Sequence, residues 1–166
     1  MKRRIGRLVA ALSVLTVSLL VPSAVSADNG NTQFDGVATA VDACAGFTDV
    51  FGLDMVGPNL VGCLINTSFV VDKNTPSGTY SEYGTETFVG CLLEDGVEVG
   101  CGTFDIEYRF TGKFDPETGA QHYGRCQHPI IPGTGTGVFE GATGRIDFKD
   151  DLDAGLFYFR GHVKVG

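Results

Sequence analysis

Beyond residue 27 the chain has no helical period: nowhere do apolar residues return at three- and four-residue intervals. Helical bundles and alternating strand-helix architectures are thereby excluded. Basic residues are scarce, 12 Lys and Arg against 20 Asp and Glu, so a nucleic-acid backbone or an anionic membrane surface would be repelled. The five cysteines include no Cys-x-x-Cys pair, which removes the usual signature of structural zinc. No Gly-x-Ser-x-Gly elbow is present, and the serines beyond residue 27 sit in plain turn or strand contexts, so a catalytic triad of that type is not expected. No Gly-Lys-Ser or Gly-Lys-Thr occurs either. Gly133, Gly135 and Gly137 lead into a strand pattern, not into the helix whose first amides would meet a phosphate. No cofactor is implied.

What is present begins with a targeting segment. Lys2, Arg3, Arg4 and Arg7 precede an apolar core, Leu8 to Val21, and then the small residues Val25-Ser26-Ala27. This is the pattern of a secretory signal peptide over residues 1–27, with cleavage expected before Asp28. A membrane anchor is the competing expectation, but the core is shorter than the ~20 residues of a span and Pro22 interrupts its end. Removing the segment leaves one domain's worth of chain, 28–166, with 8 basic and 20 acidic side chains and a formal charge of −12. The expected location is extracellular, with no membrane association after cleavage. Solubility there is sufficient reason for the charge.

The domain alternates strands and turns. Asp28 to Gln33 is polar and reads as a frayed end. Phe34 to Ala45 is a weak strand, and Gly46 to Asn59 fits either a strand pair or an irregular loop. Val61 to Asp72 is firmer, with Cys63, Ile65, Thr67, Phe69 and Val71 on one face. Thr79 to Leu93 and Val97 to Gly102 flank an Asp95-Gly96 hairpin signal. The cleanest period of two follows: Phe104, Ile106, Tyr108, Phe110 and Phe114 alternate with Asp105, Glu107, Arg109, Thr111 and Lys113. Gln121 to His128 is apolar on neither parity. The last strand sets Phe157, Phe159, Val163 and Val165 against Tyr158, Arg160, His162 and Lys164. About eight such strands form a sandwich or an antiparallel barrel.

Between them lies Gly133 to Lys149, GTGTGVFEGATGRIDFK, too rich in glycine for a helix and read as a strand entered through a glycine-hinged bend. This run, with LFYFRGHVKV after an acidic turn, resembles the last third of the allene oxide cyclase family; dirigent proteins share the barrel and a weaker form of the motif. The resemblance covers roughly Gly133 to Val165 and implies an all-β fold, a single antiparallel closed barrel of about eight strands. Allene oxide cyclases mould an unstable fatty-acid epoxide into a cyclopentenone in an apolar cavity, guided by an early-strand Glu and Asn. No segment of the N-terminal third matches that pair. Cys63, in LVGCLI, falls where the family has a cysteine, and Glu140 matches a motif position read as structural.

Cysteine pairing depends on register. A strict two-residue turn at Asp95-Gly96 sets Cys91 opposite Gly100, whereas a three-residue loop sets it opposite Cys101. The second favours a Cys91 to Cys101 bridge, with Cys44 to Cys63 next and Cys126 left over. A metal site on His122, Cys126 and His128 fails on distance, since His122 and Cys126 stand about 13 Å apart along a strand. Because Gln121 to His128 sends polar groups inward on either parity, the expected site places Arg125, His122 and His128 at a barrel mouth. There Arg125, or His122 and His128 on the other parity, would hold the polar, anionic head of a small amphipathic ligand whose body meets Phe104, Tyr108, Phe110 and Phe157. Binding without turnover is the expectation, and a cyclase or isomerase acting on a reactive lipid or phenolic substrate is the alternative.

Overall fold

The computed structural model describes residues 31–166; the expected signal peptide, residues 1–27, lies outside them. Eight strands follow in order: β1 (Asn31–Cys44), β2 (Phe47–Val56), β3 (Leu60–Asn74), β4 (Thr79–Glu94), β5 (Val97–Phe114), β6 (Gln121–Pro129), β7 (Thr143–Asp151) and β8 (Leu156–Lys164). Each pairs antiparallel with the next, and β1 pairs with β8, so one sheet runs round as a closed ring. Closure leaves no edge strand to template association. Asn31 to Gln33 is not frayed, because it forms the start of β1 and pairs with Lys164, Val163 and His162 of β8. Gly46 to Asn59 resolves into β2, reached from β1 through Ala45 and Gly46, both at positive φ.

The β4–β5 hairpin confirms one disulfide by a route other than the expected loop. Glu94 pairs with Val97, so the turn does contain two residues, Asp95 and Gly96, with φ of 51° and 77°. A bulge between Leu92 and Leu93 then shifts the register, and Cys91 meets Cys101. Cys91 and Cys101 are bonded, Cys44 and Cys63 are bonded, and Cys126 is free. The Cys44–Cys63 bridge ties β1 to β3 past β2. Val97–Gly102 and the alternating run after it are one continuous strand, β5. On β3 the inward residues are Leu60, Leu64 and Asn66, while Phe69 and Val71 are exposed.

One end of the ring is filled. Phe88 and Phe104 stack at 4.8 Å, and Phe139 meets both edge-on at 5.7 and 5.0 Å. Phe139 comes from the glycine-rich segment, which contains a 3₁₀ turn at Gly137–Phe139 before β7 and so is not purely extended. The segment takes over as partner of β5 where β6 leaves it: Ile131 N–H donates to the Asp105 carbonyl at 2.9 Å and Thr136 N–H to the Thr103 carbonyl at 2.8 Å. Thr134 and Thr136 hydroxyls accept from the Asp105 and Thr103 amides in return. A side chain at Gly102 would bring its Cβ within 1.9 Å of the Thr136 carbonyl, so this close approach requires glycine. The glycines thus fold the chain across the ring and drive Phe139 into it as a plug.

Candidate functional site

The alternation of β4, β5 and β6 decides what enters the ring. Tyr80, Glu82, Glu86 and Phe88 share a parity on β4, and Tyr108 and Phe110 share the inward parity of β5 with Phe104. Phe88, Phe104 and Ile106 form a floor over the plug. Above it lies a cavity of about 760 Å³, within the range of small-molecule pockets. Its rim is the β3–β4 turn around Thr75 and Pro76 and the β5–β6 turn around Asp115 and Pro116. Phe51, Leu53, Phe110, Phe114, Phe148 and Phe157 supply apolar walls.

Just above the floor sits a buried polar group. His128 is 2% exposed and Glu86 6%. His128 Nδ1 lies 3.2 Å from the Ile146 carbonyl, which can only accept, so Nδ1 carries a proton. The His128 ring stacks on Tyr108 and meets the edge of Phe148, which fixes its plane. Its Nε2 stands 3.1 Å from Glu86 Oε2. Although that distance suits an ion pair, no hydrogen bond of acceptable geometry reaches Oε2, which is buried and without a partner. In the neutral imidazole both facing atoms are acceptors. Something must place a donor between or beside them, since an unsatisfied buried acceptor costs about 1–3 kcal/mol.

A second polar group sits nearer the mouth. Glu82 accepts from the Tyr80 hydroxyl at 2.5 Å and from the Tyr108 hydroxyl at 3.2 Å, and Tyr108 in turn accepts from the Asn66 amide at 3.2 Å. Burial, with the Glu82 hydrogen bond and charge behind it, pushes the Tyr80 phenol up to about 12. Burial likewise holds the Tyr108 phenol well above its ordinary range. Asp150 accepts from the Gln121 amide. Cys126 also lines the cavity, and burial together with the charges of Glu86, Asp150 and Glu82 pushes its thiol far up. It remains a thiol, the unreactive form.

The expected site residues divide. Tyr108, Phe110, Phe157 and His128 line the cavity, whereas Phe104 belongs to the floor. Arg125 lies on the outer face with Tyr123 and Gln127, because the alternation that turns Gly124, Cys126 and His128 inward turns it out. His122 sits exposed at the rim, 3.9 Å from Asp115. The lining contains four carboxylates, Glu82, Glu86, Asp115 and Asp150, and no Lys or Arg, so an anionic head would find no counter-charge. Glu82 and Glu86 escaped the sequence reading, yet a signal was there: they occupy the parity of Phe88 and Leu92 on β4. On the outer face Cys91, Glu98 and Cys101 gather within 4.8 Å, but the two sulfurs are bonded to each other.

Comparison of the chain with protein-family models, with curated proteins and with solved structures finds no match.

Proposed function

We propose that the ring is a closed barrel of the allene oxide cyclase-like type, exported from the cell, that holds a small molecule of mainly apolar body without turning it over. The blind cavity of about 760 Å³ carries this reading: aromatic walls surround a few convergent polar groups, and one end is stopped by Phe139. A structural barrel would fill that space with side chains, as the other half of this one does. The glycine-rich plug corresponds to the segment that resembles the family. Two disulfides are consistent with an oxidising, extracellular location. No helix among the described residues is long and apolar enough to cross a membrane.

Titration calorimetry with neutral amphiphiles, aliphatic alcohols and alkylphenols, tests the reading. Saturable binding at one site is expected, lost when Phe110→Trp or Phe157→Trp fills the cavity in a variant that still folds. No binding of any amphiphile, charged or neutral, ends it.

A second reading, an isomerase or cyclase for a reactive lipid or phenolic substrate, is favoured by the His128–Glu86 pair. A histidine and a carboxylate 3.1 Å apart in a largely apolar chamber form a pair of bases that can take a proton from a confined substrate and return it. Product formation from reactive epoxides, abolished by Glu86→Gln while binding persists, would distinguish it from simple binding.

A further inference from the structure

The deep polar group of the cavity is short of donors, and that shortage specifies a ligand. Glu86 lines the cavity, and its Oε2 is buried and has no hydrogen-bond partner. The nearest polar atom, His128 Nε2 at 3.1 Å, is itself an acceptor in the neutral imidazole whose Nδ1 donates to Ile146. Tyr108 cannot help, because its hydroxyl is committed to Glu82. Glu82 already takes two tyrosine hydroxyls, and Asp150 takes Gln121. Every charged side chain on the lining is a carboxylate.

Resting on the binding reading above, we infer that the ligand is a cationic amphiphile, a primary or secondary amine on an apolar body, whose ammonium docks against Glu86 and His128. Once the two side chains swing apart to admit the nitrogen, one N–H donates to Glu86 Oε2 and a second to His128 Nε2, which satisfies both acceptors with a single atom. Removing an ammonium from water is costly unless it is paired and hydrogen-bonded, and this pair supplies a countercharge and two acceptors together. A neutral alcohol can satisfy one acceptor but brings no charge, and a carboxylate adds a third acceptor and a repulsion. The competing donor is a proton shared between Nε2 and Oε2, which would leave the pair satisfied and indifferent to amines.

The full folded protein is titrated near neutral pH with octylammonium, n-octanol and octanoate. Salt is held at about 1 M, where the screening length of about 3 Å removes general attraction to an acidic surface. The expected order is octylammonium first, tighter than octanol by at least about tenfold, with octanoate weakest. Glu86→Gln keeps the shape of the side chain but supplies its own donor toward Nε2 and removes the charge; it should bring octylammonium down to the octanol level. Equal affinity of the native protein for octylammonium and octanol overturns the amine inference while leaving the cavity reading in place, and needs no variant. A preference that survives Glu86→Gln overturns it too. Failure of all three probes removes the cavity reading and the inference together.

Discussion

Tyr80 reports on the cavity without any ligand. Its phenol is pushed up to about 12, first by burial and then by the Glu82 carboxylate that accepts its hydrogen bond. The folded state therefore keeps a proton that the unfolded chain releases near the ordinary value of 10.0. The associated stability is complete below about pH 10 and is lost as pH rises through about 12. Ultraviolet titration at the phenolate band should show tyrosine ionisation coinciding with unfolding in this window, and Tyr80→Phe should weaken the alkaline loss. Ionisation of every tyrosine near pH 10 in a folded protein would contradict it. At this scale legibility was uneven. Tyr108 and Phe110 announced themselves by strict alternation, whereas Glu82 and Glu86 were hidden because glycines at 84 and 90 dilute the parity of β4. Arg125 drew attention because it is charged, but on a strand charge does not fix facing; position does.

Among the elements, the glycine-rich crossing before β7 is the most demanding. Gly144 has φ of 139°, and a Cβ there would lie 2.1 Å from the His162 carbonyl on β8. Gly141 has φ of 72° but its nearest neighbour to a Cβ is 3.5 Å away. Gly144→Val is thus expected to cost clearly more than Gly141→Ala, which bears the backbone strain of about 1–2 kcal/mol alone. Chemical denaturation of the two variants checks the order. Equal midpoints would mean that β7 and β8 shift apart at little cost. The bend was readable because five glycines in twelve positions allow little else. Its 3₁₀ turn was not readable, since a single turn leaves no period. The hairpin at Asp95-Gly96 was legible as a turn, but its bulge at Leu92 and Leu93 was not. The Cys91–Cys101 pairing came out right because a bulge and a longer loop restore the same register.

For the whole molecule, closure was legible only in part. Strand number and alternation pointed to a sandwich or a barrel, and nothing local distinguishes them, because pairing of β1 with β8 joins the two ends of the chain. The outward face of β3 was misleading in the same way: Cys63 and Ile65 are apolar and buried on the side away from the cavity, where the Cys44 bridge covers them. If residues 1–27 act as the expected leader, mass analysis of the exported protein should give a chain starting at Asp28 with two disulfides and one thiol; that thiol, Cys126, should resist alkylation until the ring is unfolded. Rapid alkylation of the native protein would contradict that protection.

Because Phe139 stops one end, the ring is a well and not a tunnel, and a guest must leave by the mouth through which it came. On the amine reading, with the polar pair near the floor, the head would go in first and the tail would trail toward Thr75 and Pro116. Glu86 lies four residues below Glu82 on one strand, roughly 13 Å. Affinity should climb with each added methylene only while the tail still has wall to touch, then level off once it clears the rim. On that reading the plug would make the protein a gauge of chain length.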